Sequence, residues 1–434
     1  MWWNWGRQSH YKALSSGKKC VTGGISMKMK SQRLDWIDGL RLLASFFIFA
    51  DHYFLYFLPG SYYGRRVAGT EFAYALSQSP VSVWINGNFW VCVFCIVSGL
   101  VASLKVFRNQ NKPHGLQAIG DAAVNRYLRL VLPCFGMSIL VYAMLRLDLM
   151  KNHVFTCYYP SEWADILYYQ YDPKSNVLTL LLDSFIRVPF SGSEKYSIAL
   201  WTIPFLLFGY LFSLLLAQMS VGKSPRILLV YGLFAFGLLF TGREIEACFP
   251  IGTAMAYHCN YRKEATGRSA SLFGAVLILL GLFFGGYPTE VIPTNVYAYL
   301  NFAGSRIPPF MLWHLLGSAL LMLGLVYCRP VRHFLGLHVL AEMGKKLSFS
   351  MYLVHIILLT SVSSAFAVAL IRRGMEYMTI FWLLFPVTLA LLLPASWLFN
   401  RCIVEPSGWM IAAANRYLQN GRHFPDELEK EKTQ

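Results

Sequence analysis

Long apolar runs recur along this chain and are interrupted by short basic segments. The 434 residues are 56% hydrophobic and only 14% charged, whereas soluble domains carry about 25% charged residues. An α-helix needs about twenty apolar residues to cross a bilayer, and its backbone then satisfies its own hydrogen bonds. The pattern therefore predicts an all-α, polytopic membrane helix bundle with about ten transmembrane helices, surrounded by lipid.

The net charge of +16 does not indicate nucleic-acid binding, because the basic residues lie between the apolar runs. Segments predicted to face the cytosol carry more than twice as many Lys and Arg residues as the outside segments. That bias is typical of membrane topology and predicts that both termini are cytosolic. We expect a basic N-terminal tail at 1–34, a transmembrane domain at 35–400 and a C-terminal tail at 401–434.

Cysteine usage indicates neither a disulfide framework nor a metal site. The nine cysteines are scattered, and most lie in or beside apolar runs. Cys92 and Cys95 form a C-x-x-C, but it falls within an apolar run. We interpret this pair as packing residues, and the sequence predicts no metal cofactor.

The first apolar run, residues 33–59, contains Arg41, Asp51 and His52. Arg41 and His52 are separated by three helical turns plus about 20°, so both are expected on one face, about 16 Å apart along the axis. Asp38 falls on the same stripe. Ionisable groups at membrane depth are costly and usually mark function. A snorkelling arginine and a buried, hydrogen-bonded histidine would give the same pattern.

Asp38-Gly39-Leu40-Arg41, ten further residues and then His52 resemble the opening motif of the acyltransferase 3 family. Members of that family are integral membrane proteins that move acyl groups, commonly acetyl from acetyl-CoA, onto hydroxyls. In overall style the chain is similar to a fungal member. The resemblance implies that His52 is the catalytic residue, with Arg41 and Asp38 in the same site and acyl-CoA as the donor.

Arg126 and Arg129 form an R-x-x-R at the mouth of the third predicted span, and the family has an R-x-x-R at this point. Two guanidiniums one helical turn apart suit the phosphates of a nucleotide-type cofactor such as CoA. Arginines beside a span are also common for topology alone. The resemblance favours a role for both in cofactor binding.

Phe94, Ser98 and Gly99 resemble the aromatic-rich FF-x-x-SG segment of the family, although Ser and Gly also allow close helix packing. Two departures stand beside these matches. Cys92 occupies a place where the family often has an acidic residue, and Leu206 stands where a glutamate is expected in a W-x-I/L-x-x-E segment. The missing glutamate predicts a changed substrate or weakened chemistry.

A late segment resembles the family pattern G-x-x-S-x-x-x-Y-L-x-H, with Ser348, Tyr352 and His355 in register and Gly344 four residues before Ser348 instead of three. Four residues are secondary site candidates because they are polar groups in or beside apolar runs. They are Asp51, Ser98, His314 and His355.

The predicted function is transfer of an acyl group, commonly acetyl, from acyl-CoA to a hydroxyl of a small molecule, for example a secondary metabolite. A neutral imidazole at His52 would take the acceptor proton as the hydroxyl attacks the thioester. An integral protein of the endoplasmic reticulum or another endomembrane is expected, and the oligomeric state stays open.

Three alternatives remain open at this point. A solute or ion transporter could use the same intramembrane charges without acyl chemistry. The other large superfamily of membrane O-acyltransferases has its catalytic histidine in a late apolar helix, where His355 would serve. A catalytically weakened relative would explain Leu206.

Overall fold

The computed structural model describes the chain from residue 35 to residue 420 with six short gaps; the described ranges are 35–65, 70–109, 116–159, 161–170, 176–261, 267–302 and 304–420. All regular structure in these ranges is helical, which confirms the all-α class. The predicted N-terminal tail at 1–34 and the last part of the C-terminal tail, 421–434, lie outside the described residues.

Ten long helices coincide with the ten predicted spans. They are α1 (Asp35–Phe57), α2 (Gly87–Arg108), α3 (Leu116–Arg146), α4 (Ile203–Ser220), α5 (Ile227–Phe240), α6 (Glu244–Tyr261), α7 (Arg268–Gly285), α8 (Pro309–Tyr327), α9 (His338–Leu358) and α10 (Tyr377–Phe399).

Eight of these helices are long and apolar enough to cross a membrane, which supports an integral membrane protein. The other two are α5 and α6. α5 has 14 residues, a length of about 21 Å against a hydrocarbon core of about 30 Å. α6 has 18 residues but begins with two glutamates, so it is less apolar than its neighbours.

Shorter elements connect the long helices. Helical segments lie at Gly60–Tyr63, Glu71–Ser77, Asn152–Thr156, Glu162–Gln170, Val177–Leu182, Val188–Ser191 and Arg329–Leu335, with 3₁₀ turns at Pro80–Ile85, Ile198–Thr202 and Val296–Leu300. Wide π-helical turns lie at Asp183–Arg187, Leu359–Ser363 and Asn400–Val404. Through the last two, α9 continues into Ser364–Arg372 and α10 into Glu405–Asn420.

α3 begins at Leu116, ten residues before Arg126, which the sequence placed at the mouth of the third predicted span. Arg126 and Arg129 therefore lie on a helix rather than on a connecting segment. The early turns of α3 contain polar residues that gave no apolar signal. They pack against the helix Glu405–Asn420, where the Asn415 side-chain amide donates to Asn125 Oδ1 at 2.7 Å. Helix pairing therefore stabilises this extension.

α1 and α9 pack side by side and run in the same direction. The Ser45 hydroxyl donates to the Ser348 carbonyl at 2.9 Å, and further along Tyr56 Oη lies 2.6 Å from Ser364 Oγ. The backbones approach so closely that a Cβ on Gly344 would overlap the Asp38 carbonyl. Small residues allow such contacts between membrane helices.

α2 and α6 form a second close pair in the centre of the bundle. A Cβ on Gly99 would lie 2.8 Å from the Phe249 carbonyl oxygen, and one on Gly252 would overlap the α2 backbone. Cys92 and Cys95 are both buried here as free thiols. The pair holds the Ser98–Gly99 segment rigidly against the core.

Gly344→Val should destabilise the bundle, because the added side chain forces α1 and α9 apart. Overpacking a tight core costs about 1–3 kcal/mol. We expect a lower unfolding temperature of the detergent-purified protein than for wild type. Gly237→Ala is the matched control, since Gly237 lies on exposed α5 with no atom within 4 Å of an added Cβ. Equal losses of stability in both variants would contradict the α1–α9 packing.

Candidate functional site

Two histidines from distant parts of the chain meet where α1 packs on α9. His355 Nε2 lies 3.2 Å from His52 Nδ1, and the ring centroids are 4.9 Å apart. The parallel packing of α1 and α9 creates this contact, since Ser45 and Ser348 meet two helical turns earlier. The candidate base His52 and the secondary candidate His355 therefore belong to one cluster.

The hydrogen bonds assign the proton positions on the two rings. His52 Nδ1 lies 2.8 Å from the Ile48 carbonyl oxygen, and His355 Nδ1 lies 3.1 Å from the Met351 carbonyl oxygen. A carbonyl only accepts, so each Nδ1 carries hydrogen. His355 Nε2 then accepts a share of the His52 Nδ1–H bond. His52 Nε2 is left as an unprotonated nitrogen with its lone pair available.

The 148–196 segment lies between α3 and α4, and residues from it cover this cluster. The Trp163 ring lies 5.2 Å from the His52 ring, tilted by 33°. The Ser161 hydroxyl donates to the Tyr56 carbonyl at 2.6 Å, and the Lys151 amide donates to the Thr360 carbonyl at 2.7 Å. The His52 side chain keeps 17% exposure beneath this cover.

Asp51 adjoins His52 in sequence but points elsewhere. Its Oδ2 lies 3.9 Å from His52 Nδ1, beyond hydrogen-bonding distance. That oxygen packs against Gly87 at the start of α2, and the Gly87 amide donates to the carboxylate. Oδ1 is buried without a hydrogen-bond partner. Asp51 therefore joins α1 to α2 and does not orient the imidazole.

Arg41 and Asp38 lie together toward the first turns of α1, with Arg41 Nη1 3.4 Å from Asp38 Oδ1. Both share the face that leads to His52, as the helical spacing predicts. Between them, however, Ser45 and Ile48 are each only 1% exposed. Packed side chains therefore separate the charged pair from the histidine pair along this face.

Arg126 reaches from α3 to the backbone of α4. Its Nε and Nη2 donate to the Leu206 carbonyl at 3.2 and 3.1 Å, and Nη2 also lies 3.3 Å from Ser98 Oγ. The guanidinium stacks over Tyr210 at 4.9 Å from the ring centroid. Among the described residues no carboxylate pairs with Arg126. The carbonyl of Leu206 thus supplies an acceptor at the position where a glutamate is expected.

Three arginines gather at this mouth of the bundle, because Arg41 and Arg129 lie close enough to Arg126 for their charges to repel it. Asp38 is the carboxylate seen beside them, through its contact with Arg41. The arrangement concentrates positive charge where an anionic ligand would be favoured.

A chain of side chains links the arginines to the histidines through α2. Ser98 contacts Arg126, and Phe94 lies one turn earlier on the same helix, with its ring 6.5 Å from Tyr352. Tyr352 in turn precedes His355 by three residues. Its hydroxyl donates to the Ala199 carbonyl at 2.6 Å and lies 2.7 Å from Thr202 Oγ1. The 3₁₀ turn Ile198–Thr202, which precedes α4, therefore fixes this tyrosine.

His314 belongs to a different cluster. Its Nε2 lies 2.8 Å from the Tyr287 carbonyl oxygen, and Nδ1 lies 2.9 Å from Asn88 Nδ2. The ring is fully buried, and both nitrogens have protein partners that tie α2 to α8. None of its contacts in the described ranges involves His52 or His355, so the structure gives His314 a packing role.

Sequence pattern alone did not indicate Trp163, and it ranked His355 only as a secondary site candidate. Trp163 lies in a polar, tyrosine-rich insertion, where an aromatic residue is most simply an interface anchor. The motif resemblance did contain His355, but nothing local indicated its contact with His52. In the described ranges no group of three or more His, Cys, Asp or Glu side chains could hold a metal.

Comparison with known proteins gives one match. The family model of acyltransferase 3, described as an acyltransferase domain, matches residues 34–401. No curated protein and no solved structure matches the chain. Because the match covers most of the chain, including both histidines and all three arginines of the site, the protein belongs to the acyltransferase 3 family of membrane acyltransferases.

Proposed function

We propose that the protein transfers an acetyl-type acyl group from acyl-CoA to a hydroxyl of a small molecule, with His52 as the general base. The observation that carries this proposal is the His52 hydrogen bond to the Ile48 carbonyl. It leaves Nε2 unprotonated and able to accept a proton. Family membership supports the acyl-transfer chemistry, and the donor and acceptor are the proposed parts.

The proposed reaction needs one proton acceptor beside the incoming hydroxyl. His52 Nε2 takes the hydroxyl proton while the alcohol oxygen attacks the thioester carbon. The proton then passes to the departing thiolate, so the products are an ester and CoA with no net proton change. A base with this role typically contributes about 10²–10⁴ in rate.

His355 is proposed as a positioning residue for His52. Its Nδ1–H is anchored on Met351, so its Nε2 is presented as an acceptor toward His52. Sharing the His52 Nδ1 proton favours the tautomer with a free Nε2 and limits rotation of the ring. A second group that fixes the tautomer of a catalytic histidine is a recurrent device in active sites.

The three arginines are proposed to bind the phosphates of the donor. Arginine suits phosphate because its planar N–H groups donate in pairs. Arg126 uses Nε and Nη2 for hydrogen bonds to Leu206 and Ser98, and these bonds hold the guanidinium in position. Its Nη1 is left to donate to a ligand. The backbone carbonyl of Leu206 holds Arg126 in place, a contact that does not depend on the side chain at this position.

Donor binding and catalysis are separated along α1 by about 16 Å. The flexible pantetheine arm of CoA separates its thioester from its phosphates, so the two parts of the site can act on one molecule. The buried Ser45 and Ile48 close the direct face of α1. The proposed path for the arm therefore follows Ser98 and Phe94 on α2 toward Tyr352.

The acceptor is proposed to be a small alcohol of the secondary-metabolite kind, and the membrane the endoplasmic reticulum or another endomembrane. Both rest on the resemblance to fungal members. Incubating membranes that contain the protein with labelled acetyl-CoA and a panel of alcohols should yield a labelled ester. No labelled ester and no CoA release from any donor and acceptor would refute the proposed function.

His52→Ala should lower kcat by about 10²–10⁴ because the base is lost. The measurement is ester formation by purified protein at saturating donor. His333→Ala is the matched control, since His333 is exposed on the short helix Arg329–Leu335 and should keep wild-type activity. Undiminished turnover in the His52 variant would exclude this residue as the base.

His355→Leu should lower kcat more mildly than His52→Ala and leave both KM values unchanged. Losing one neutral hydrogen bond is worth about 1 kcal/mol, or roughly a fivefold slower rate. His355→Gln, which returns a side-chain acceptor, should recover part of that loss. A His355→Leu variant as inactive as the His52 variant would instead assign direct chemistry to His355.

The double variant Arg126→Ala and Arg129→Ala should raise the KM for acetyl-CoA by about tenfold to a hundredfold. Hydrogen bonds to charged groups are worth about 1.5–3 kcal/mol. Steady-state kinetics at varied donor concentration measures this effect. Arg146→Ala, at the opposite end of the same helix, is the control. A donor KM equal to that of wild type would leave the pair with a topology role only.

A further inference from the structure

Trp163 places an aromatic ring that carries one hydrogen-bond donor beside His52. The residue is only 6% exposed. Its ring lies 5.2 Å from the His52 ring and meets the Tyr56 ring edge-on at 6.2 Å. The indole is therefore a fixed wall of the space next to the proposed base.

The indole N–H of Trp163 has no protein partner within the described ranges. Buried tryptophans usually place this group on an acceptor. Trp90 donates to the Val83 carbonyl at 2.7 Å, and Trp313 donates to the Leu300 carbonyl at 3.0 Å. Trp163 Nε1 is not completely enclosed by the protein, because a fully buried nitrogen without a partner would be an orphaned polar atom, as Trp36 Nε1 is. Its N–H is therefore accessible, on a ring that lies against His52.

The backbone around Trp163 is held firmly, so the donor is pre-positioned. Ser161 Oγ donates to the Tyr56 carbonyl and accepts from the Ala164 amide at 3.3 Å. The Asn152 side-chain amide donates to the Ala164 carbonyl at 3.2 Å. Ser161, Ala164 and Asn152 are all buried. A donor fixed before the reaction stabilises developing charge without reorganising.

An indole N–H only donates, which limits what it can bind. The acceptor alcohol must give its own proton to His52, and an N–H bond to its oxygen would weaken it as a nucleophile. The acyl carbonyl oxygen, in contrast, gains negative charge during the attack. We infer that Trp163 donates its indole N–H to this oxyanion, a role that rests on the proposed acyl transfer.

The step balances without any further reactant. The alcohol oxygen bonds to the acyl carbon, its proton moves to His52 Nε2, and the carbonyl electron pair becomes the oxyanion held by Trp163. When the carbonyl re-forms, the carbon–sulfur bond breaks. The proton on His52 then passes to the thiolate, which leaves as CoA.

Trp163→Phe tests this role because it removes the N–H but keeps an aromatic ring. Loss of one oxyanion donor typically costs about 10²–10³ in kcat. We expect a fall of that size with acetyl-CoA and the best alcohol of the panel, while both KM values stay near wild type, because the contact forms only in the transition state. CoA thiol release reports the rate.

Two further variants make the test specific. Trp163→His returns a ring N–H and should be at least tenfold faster than Trp163→Phe. Trp397→Phe, on the exposed face of α10, should match wild type. Unfolding temperatures of the purified variants show whether each one is folded. If Trp163→Phe does not fold, the comparison of Trp163→His with wild type tests the inference.

Two results would overturn the inference. One is an unchanged kcat in Trp163→Phe; the other is a loss confined to the acceptor KM, which would make Trp163 a wall of the acceptor site. Either result, with active wild type and inactive His52→Ala, leaves the proposed function standing. A wild-type protein that transfers no acyl group would refute both.

Discussion

The parallel contact between α1 and α9 is the constraint on which the rest of the site depends. Gly344 packs directly on the α1 backbone at Asp38, and Ser45 donates across the same interface. Only at this separation can His355 reach His52. Hydrocarbon offers no hydrophobic drive for helix association, so small residues and interhelical hydrogen bonds provide the packing. The geometry of the histidine pair follows from this close packing of α1 on α9.

Polar groups in a membrane interior need partners from the protein, because lipid supplies none. Arg126 satisfies this requirement through the Leu206 carbonyl, Ser98 and the face of Tyr210, without a carboxylate. A guanidinium held in this way keeps its charge uncompensated and its remaining donors available. The contact with Leu206 uses its backbone carbonyl, and the apolar side chain adds no negative charge at this mouth of the bundle.

The site has two parts that the structure holds apart. The arginines lie toward the early turns of α1 and α3, while the histidines lie toward the end of α1 beneath the 148–196 segment. Buried Ser45 and Ile48 separate them along the α1 face. A donor with a long flexible arm could connect the parts along α2, past Ser98 and Phe94. The division suits a reaction whose donor and acceptor arrive from different directions.

The sequence alone determined the class of fold and the position of most helices, because bilayer thickness and backbone hydrogen bonding leave few choices for long apolar runs. It also placed Arg41 and His52 on one face, since helical periodicity is local. It misplaced the start of α3, whose polar turns are stabilised by distant Asn415.

Which residues join His52 was decided only by the tertiary structure. His355 is some three hundred residues away and Trp163 lies in a polar insertion, so no local spacing could pair either with α1. His314, like His355, is a histidine in an apolar run, yet its ring nitrogens are used by Asn88 and Tyr287. Hydrogen-bond partners across helices depend on the register and the separation of the two helices. The pattern of hydrophobic residues along the sequence does not determine either quantity.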